Sequence, residues 1–273
     1  MIIGITGSSS VLGTNLLKKL KDNKIILFKG RLENKNLIDN WIKKNNFDCI
    51  IHLAAIVPVN IVNNNKKKAY IVNFIATKNL VNSIIKHAKK KIWFFYSSSS
   101  HVYSTGNVKK IEIEITKPTT YYGKLKVLSE RYILKNKKNL LTCIGRIFSF
   151  TSKKQKTCFV IPNLIKKFKS KKKELIFHDL NHFRDFLILD DISLAIKLLM
   201  IKKKTGIFNI CSGKKVSLIN LAKVLNKNFK KKIKFTFDQK KTIMFGDNGK
   251  LLDIGWKPKT SNYLKYINNY YSK

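Results

Sequence analysis

The opening of the chain constrains its fold more than any later segment. Ile2 to Thr6 is a short apolar run, Gly7 to Gly13 is built mostly from small residues, and Thr14 to Leu20 begins a helical pattern. A buried strand that turns tightly into a helix is the first half of a βαβ unit. Small residues in such a turn let backbone N–H groups approach a phosphate, and the helix start adds partial positive charge at the same place. The alternation then repeats. Candidate strands follow at Lys24 to Phe28, Cys49 to Leu53, Ile92 to Ser97, Leu141 to Phe148 and Ile207 to Ile210. Helical patterns lie at Leu32 to Asn45, Tyr70 to Lys89, Tyr121 to Lys135 and Asp191 to Ile201. Strands that alternate with helices form parallel units, so the expectation is an α/β, doubly wound parallel sheet with ligands at the carboxyl ends of its strands. From Thr151 the alternation loosens, and the stretch to about Lys173 with the tail after Lys214 is expected to form a smaller lobe.

Tyr122 and Lys126 stand four residues apart inside the Tyr121 to Lys135 pattern. On a helix that spacing puts a phenol and an ammonium on one face, one turn apart. A free phenol has a pKa of about 10 and exchanges protons poorly at neutral pH. An adjacent ammonium favours the phenolate and is expected to draw that value down. The pair then becomes an acid/base device for a carbonyl or carbinol oxygen, with the lysine also free to hold a ribose. The spacing arises easily in a lysine-rich chain, so a half-buried tyrosine beside a surface lysine is the competing reading.

Further motifs follow in order. They are Thr6-Gly7-x5-Gly13, His52-Leu53-Ala54-Ala55, Val72-Asn73-x3-Thr77-x-Asn79-Leu80, Ser97-Ser98-Ser99-Ser100-His101-Val102-Tyr103 and Tyr122-Gly123-x2-Lys126-x3-Glu130. Arg146, Arg184-Asp185-Phe186, Asp190-Asp191 and Gly255-Trp256-x-Pro258 complete the set. In this order they resemble the extended short-chain dehydrogenase/reductase family, and more narrowly its NAD(P)-dependent epimerase/dehydratase group, which modifies nucleotide sugars. The resemblance spans nearly the whole chain. It implies a Rossmann-type sheet over residues 1–150 that binds NAD(P), rejoined by a helix over 191–201 and a strand near 207–211. Residues 151–273 would then be mainly a small C-terminal substrate-binding lobe.

The resemblance also implies roles. Tyr122 would be the acid/base, Lys126 its pKa-lowering and ribose-holding partner, and Ser99 the hydroxyl that fixes the reacting oxygen, with Ser98 its competitor in a run of four serines. Gly7, Ser8, Ser10, Leu12 and Gly13 would line the pyrophosphate turn. Leu53, Ala54 and Ala55 would pack where the cofactor crosses the third strand. Arg146, Ser149 and Arg184 would face the substrate, Arg184 toward its diphosphate, for which a planar guanidinium is suited. An ion pair with Asp185 or Asp190 is the structural alternative for Arg184. Asn73 would support the sheet, and Asp190 and Asp191 would cap the helix that follows them. His101 lies two residues after Ser99, so strand alternation would point both toward the cleft. Its imidazole would be a second acid/base with a pKa near 6.5, or else a hydrogen-bonded spacer. The helix around Tyr122 to Lys135 is a common pairing face in the family, which makes a homodimer the implied assembly. No metal site is expected.

Departures from the family pattern sharpen the reading. Ser10 occupies the middle glycine position, which is tolerable if its φ is negative. After the second strand the chain reads Phe28-Lys29-Gly30-Arg31, without the acid that would hold both ribose hydroxyls of NAD. Lys29 or Arg31 could receive a 2′-phosphate instead, which leans the cofactor toward NADP. Ser149 and Ser152 stand where asparagine and glycine are usual. Sugar 4,6-dehydratases carry an acidic pair after the active-site serine or threonine, and Ser100-His101 argues against that reaction. The short lobe and the compact link between second and third strands favour a 4-ketoreductase that reduces a 4-keto nucleotide sugar. A nucleotide-sugar 4-epimerase with tightly bound NAD is the alternative. From another class comes a non-catalytic dinucleotide-binding or nucleic-acid-binding protein on the same fold.

The formal charge of +41 would ordinarily suggest nucleic acid or a membrane surface. Only Arg31, Arg131, Arg146 and Arg184 among the 56 basic residues are arginine, the side chain preferred for bidentate phosphate and base recognition. The lysines are dispersed, so the expectation is solvated surface charge and no specific nucleic acid, although such a field attracts anionic nucleotide ligands. Cys49, Cys143, Cys158 and Cys211 show no paired spacing and lie in or beside apolar runs. They read as reduced core thiols of a cytoplasmic protein. No signal-peptide pattern precedes the first strand, and no apolar run approaches the roughly 18 residues of a membrane span.

Overall fold

The computed structural model of the chain describes residues 1–259 and 262–272. Among them, six strands form one parallel sheet: β1 (Ile2–Thr6), β2 (Lys24–Leu27), β3 (Cys49–His52), β4 (Trp93–Ser99), β5 (Leu141–Ile147) and a sixth, Gly206–Ile210. In space they run β2, β1, β3, β4, β5 and Gly206–Ile210, every pair parallel. The chain leaves β1 toward one edge and returns to β3 on the other side. A crevice therefore opens at the carboxyl ends of β1 and β3. Strand alternation sorts the core into two layers. Ile3, Ile5, Ile51, Trp93 and Phe95 face helix α1 (Val11–Lys19) and the Leu189–Ile201 helix. Ile50, Phe94, Tyr96 and Ile144 face helix α2 (Lys35–Lys43) and the Ala76–His87 helix. With about 1.5–3 kcal/mol per buried large side chain, these two layers are the main source of stability. The sheet is the doubly wound α/β architecture expected from the alternation. β4 runs two residues beyond its expected end and takes Ser98 and Ser99 to the rim of the crevice.

Local differences from the expectation cluster near that rim. The Tyr70 to Lys89 pattern is split into a helix at Lys66–Tyr70, a π turn at Ile71–Ile75 and a helix at Ala76–His87. Single π turns inside helices often mark functional regions. Here the turn carries buried Asn73, whose amide grips Ile56: the Ile56 N–H donates to Oδ1 at 2.7 Å and Nδ2 donates to the Ile56 carbonyl at 2.9 Å. Below it, His52 Nδ1 lies 2.6 Å from Thr6 Oγ1 and Nε2 lies 2.9 Å from Thr77 Oγ1. Burial, reinforced by Lys126, holds the His52 pKa at about 3, so the ring is neutral. β1, β3 and the Ala76–His87 helix are thereby locked together where the crevice begins.

Two side-chain expectations are corrected. Cys49, Cys143 and Cys211 are buried, but Cys158 is exposed because it falls in the turn before the Val160–Phe168 helix. Asp190 and Asp191 do not cap a helix, because the helix already begins at Leu189. Asp190 instead accepts from Asn15 and Lys19 of α1, both at 2.8 Å, and Asp191 accepts from the Lys259 amide at 2.9 Å.

A second apolar cluster lies beyond the sheet. Phe168, Phe177, Phe186, Leu221 and Tyr263 join the Val160–Phe168, Leu218–Asn226 and Tyr263–Ser272 helices to the parallel pair Glu174–His178 and Lys232–Thr236. Residues 260, 261 and 273 of the expected 151–273 lobe lie outside the described residues. The short strand Phe183–Arg184 sits between Val216–Ser217 and Ile243–Met244. Next to it, buried Asp185 accepts from the amides of Ser212, Gly213 and Gly246 and from the Ser212 hydroxyl. Burial nevertheless raises its pKa to about 6.

Candidate active site

The crevice is first defined by close backbone approach. Gly7 adopts φ +72°, and a Cβ there would lie 2.5 Å from the Ala54 nitrogen. A Cβ on Gly13 would lie 2.5 Å from the Gly7 carbonyl oxygen. Only glycine fits either position. Ser10 adopts φ −68° and its hydroxyl accepts from the Gly13 N–H at 3.0 Å, so it is the N-cap of α1 rather than a crowded glycine substitute. The first amides of the helix, those of Val11 and Leu12, have no carbonyl of their own helix to bind. With the helix dipole they leave partial positive charge at the start of the crevice. Ser8 lies in the same turn. Leu53 is buried and its amide donates to the Thr6 carbonyl at 3.1 Å, carrying half-buried Ala54 and Ala55 along the crevice. Lys29 and Arg31 are exposed just past the end of β2. These residues fit a dinucleotide: the turn is built from close-packed backbone with open helix-start amides, and cations rather than a carboxylate follow the second strand.

The Tyr121–Lys135 helix enters next to this crevice. Thr120 caps it, its hydroxyl accepting from the Gly123 N–H at 3.0 Å. Gly123 is required because a Cβ there would lie 2.1 Å from the His101 carbonyl oxygen. That close crossing brings Tyr122 to β4, where its phenol comes under the influence of the Ser99 hydroxyl. Ser98 points the other way and donates to Glu130 at 2.5 Å, so the two serines divide between two environments. Burial pushes the Tyr122 phenol well above its ordinary range, and the Ser99 hydroxyl offsets only part of that. The expected lowering by Lys126 is therefore not what the fold produces. The ammonium is 5.7 Å from the Tyr122 ring centroid, sits 4.6 Å over the Tyr96 ring and donates to the Ser97 carbonyl at 2.6 Å. It is itself desolvated, and burial draws its pKa down to about 7 against the pull of Glu130.

His101 reaches the site by a different route from strand alternation. Ser100–Val102 is a 3-10 turn capped by Ser99, and the turn swings the His101 ring to 5.6 Å from the Tyr122 ring, edge to face. Its Nδ1 lies 3.4 Å from Thr120 Oγ1. Although the residue is exposed at the rim, partial desolvation of the ring within the cleft, together with Arg184, lowers its pKa. Arg184 faces the same cleft from the second cluster. Its guanidinium donates to the Phe183 carbonyl at 2.8 Å and to Thr242 Oγ1 at 2.9 Å, and it pairs with no carboxylate among the described residues. Neither Asp185 nor Asp190 takes it. Ser149 is half-buried in the short strand Ser149–Thr151, its amide donating to the Asp185 carbonyl at 3.0 Å.

Arg146 is a correction. It is buried behind β4 and its fork is filled by Glu130, with Nη2 to Oε2 at 2.7 Å and Nε to Oε1 at 3.1 Å. Nη1 donates to the Tyr103 hydroxyl at 2.8 Å and the Glu112 carbonyl at 3.1 Å. Four of its five N–H groups are so occupied, and the side chain is only 3% exposed, so the guanidinium serves the interior rather than a substrate.

A family model described as GDP-mannose 4,6 dehydratase matches residues 2–254. The chain belongs to that family. Its members matched here modify nucleotide sugars, and a nicotinamide dinucleotide accompanies the fold in solved neighbours. GDP-6-deoxy-D-talose 4-dehydrogenase of Aggregatibacter actinomycetemcomitans is 27% identical over 269 residues, 93% of this chain and 91% of the relative. RMD from Pseudomonas aeruginosa complexed with NADPH has a TM-score of 0.87 at 22% identity, covering 98% of this chain and 97% of that one. The UDP-glucose 4-epimerase of Thermus thermophilus in complex with NAD reaches 0.86 at 16% identity, covering 98% and 97%. The last two share the fold.

Within this GDP-mannose 4,6 dehydratase family member, the residues that sequence reasoning left without a role are those behind the cleft. Tyr103 donates to Asn209 at 2.8 Å, and buried Glu112 accepts from the Asn209 amide at 2.9 Å. Glu130 was visible four residues after Lys126, a spacing that suggests an ion pair with the lysine. The fold gives it to Arg146 and Ser98 instead. Nothing local in the sequence marks Asn209 or Glu112, which meet only through tertiary folding.

Proposed function

We propose that this enzyme reduces a 4-keto nucleotide sugar with NAD(P)H, with Tyr122 as the proton donor. The observation that carries the reading is the state of the Tyr122 phenol, buried at the end of β4 and raised in pKa, with the Ser99 hydroxyl acting on it and the His101 ring edge-on at 5.6 Å. A carbonyl that accepts hydride at carbon must receive a proton at oxygen, and a phenol that stays protonated at neutral pH is the form required. When bound, the nicotinamide supplies the hydride. Ser99 orients the reacting oxygen beside Tyr122, and Lys126 holds a ribose hydroxyl on the same helix face. The amides of the Gly7 to Gly13 turn, with Ser8, Ser10 and Leu12, hold the pyrophosphate, and Leu53 to Ala55 pack beneath the dinucleotide. Lys29 and Arg31 favour NADPH over NADH through its 2′-phosphate. Arg184, with no carboxylate partner among the described residues, holds the substrate diphosphate, with Ser149 nearby and the lobe after Thr151 closing over the sugar. His101, edge-on to Tyr122, is a second proton carrier at the cleft. The similarity to a talose 4-dehydrogenase supports chemistry at C4, and the NADPH complex of the Pseudomonas protein supports the cofactor preference.

The test is spectrophotometric. Purified protein should oxidise NADPH faster than NADH in the presence of a GDP-, dTDP- or UDP-linked 4-keto-6-deoxyhexose. Tyr122→Phe should lower kcat by about 10²–10⁴ while leaving thermal stability nearly unchanged. A second reading, 4-epimerisation, draws on the likeness to the NAD-bound UDP-glucose 4-epimerase. It predicts interconversion of C4 epimers with no net NAD(P)H consumption. Failure to oxidise either cofactor with all three substrates would end the reductase reading.

A further inference from the structure

Arg146 and Arg184 place the same guanidinium in two different surroundings. In Arg146, Nη1 is engaged by neutral oxygens, the Tyr103 hydroxyl and the Glu112 carbonyl, and the edge formed by Nε and Nη2 grips both oxygens of the Glu130 carboxylate. In Arg184, Nη1 is again engaged by neutral oxygens, donating to the Phe183 carbonyl at 2.8 Å and to the Thr242 carbonyl at 3.2 Å. Nη2 donates once, to Thr242 Oγ1 at 2.9 Å. The Nε hydrogen and the second Nη2 hydrogen have no acceptor among the described residues. These two lie along one edge of the planar fork and match the spacing of two oxygens on a single anion. The edge that Glu130 fills in the interior is thus open at Arg184.

That edge is set by residues that touch only the rest of the fork. Thr242 stands 58 residues from Arg184 in sequence, and the parallel pairing of Ile243–Met244 with Phe183–Arg184 brings it alongside. All of its polar groups are directed at residues 182–184. Its carbonyl accepts from the Phe183 N–H at 2.9 Å as well as from Arg184, and its own N–H donates to His182 Nδ1 at 3.1 Å. Its hydroxyl oxygen is also 3.1 Å from His182 Nδ1, so with Arg184 as donor to that oxygen the hydroxyl hydrogen is directed at the ring. A Nδ1 that accepts from a backbone N–H must be unprotonated. Desolvation lowers the His182 pKa and Arg184 lowers it further, against the pull of Asp179, which favours that form. His182 is itself anchored at its carbonyl, which accepts from the Leu218 N–H at 3.0 Å. We propose that His182 and Thr242 are positioning residues, which hold one end of the Arg184 fork so that its Nε and Nη2 edge stays open for two oxygens of one phosphate of the nucleotide sugar. The proposal rests on the reading above that Arg184 holds the substrate diphosphate. Both residues act through Arg184 and neither meets the substrate.

Calorimetric titration of the full chain with GDP, UDP and dTDP tests this without requiring turnover, and so stands apart from the reductase assay. For the tightest of these ligands, Arg184→Gln should weaken binding by about 30- to 100-fold and sets the scale. Thr242→Val keeps the shape and the backbone carbonyl but loses the hydroxyl, and should weaken binding about 5- to 10-fold. Thr242→Ser should restore it. His182→Ala should weaken binding about 3- to 5-fold, and His182→Asn, whose side-chain carbonyl replaces Nδ1 as the acceptor, should recover most of that. In the Arg184→Gln background, Thr242→Val should have no further effect, a coupling that general loosening of the lobe would not produce. If no diphosphate binds, or Arg184→Gln binds as the wild type does, the diphosphate reading fails and this proposal fails with it. If Arg184→Gln weakens binding while Thr242→Val and His182→Ala do not, or if Thr242→Val is equally damaging without Arg184, the diphosphate reading stands and the positioning role is overturned.

Discussion

The carboxyl end of β4 separates two buried polar regions that are built on opposite terms. On the cleft side, Tyr122 and Lys126 are desolvated with few partners, the phenol acted on by the nearby Ser99 hydroxyl and the ammonium donating to one carbonyl. On the rear side, Ser98, Glu130, Arg146, Tyr103, Asn209 and Glu112 pass hydrogen bonds from one to the next. Both regions are nearly equally buried. The difference lies in pairing, and it shows in the titration: Tyr122 is driven up and Lys126 down by burial, whereas the partners of Arg146 hold its pKa above the usual value despite burial. Where ionisable groups are shifted by desolvation rather than paired, the fold has left a cost in place, and such sites concentrate where chemistry occurs. The rear network supplies the rigidity that makes the cost tolerable.

The largest effect should come from breaking the rear side. Arg146→Met leaves the Glu130 carboxylate buried without its cation, which costs about 3–5 kcal/mol. For a chain of this size the melting temperature should fall on the order of 10 °C. Adding Glu130→Leu should recover much of the loss, because the remaining charge is removed with its partner. A single Arg146 substitution that leaves thermal unfolding untouched would mean that the rear region is no better paired than the cleft.

The same comparison marks what a sequence can convey. The six strands and the Tyr121–Lys135 helix follow from local apolar periodicity, and the Gly7 to Gly13 turn from residue size alone. Tyr122, Ser99 and His101 were legible as one neighbourhood because they lie on two short segments with a fixed spacing. Arg146 was misassigned because a guanidinium suits a diphosphate and a carboxylate equally well, and only the folded register of β5 against the Tyr121–Lys135 helix brings Glu130 into its fork. The sign of the Tyr122 shift was also hidden. Spacing shows that an ammonium is near, but the depth of burial that outweighs it is a tertiary quantity. The π turn at Ile71–Ile75 is a further case in which a distant partner, Ile56, decides the local conformation.

A smaller effect should appear on the cleft side as a dependence on pH. Lys126 has a folded pKa of about 7 against an ordinary value near 10.5. Between those values the unfolded chain binds the additional proton, so this residue makes stability rise with pH across that window. Below pH 7 the lysine is charged in both states and the full cost of burying the charge remains. Lys126→Met removes the charge. The variant should therefore melt a few °C above wild type at pH 6, and the gap should close as pH approaches 10. Differential scanning at pH 6, 8 and 9.5 reads this directly, and a gap independent of pH would place the ammonium in solvent.

The finest test uses neighbours on a single strand. Ser98→Ala takes a hydroxyl from Glu130, which keeps the Arg146 fork, so stability should drop by about 1–3 kcal/mol as a buried acceptor loses a donor. Turnover should change little, since nothing on the cleft side is touched. Ser99→Ala removes the hydroxyl that acts on the Tyr122 phenol and that the proposed mechanism uses to orient the reacting oxygen. It should lower kcat by about 10- to 100-fold, roughly what one charge-assisted hydrogen bond to the developing alkoxide supplies. Its stability cost should be smaller than that of Ser98→Ala, because the phenol retains its apolar packing. The two substitutions delete the same atom from adjacent residues, so composition and strand propensity cancel between them. If both lose activity in proportion to stability, then β4 is a structural strand on both faces. If the losses cross, the strand is the wall between a paired interior and a reactive cleft.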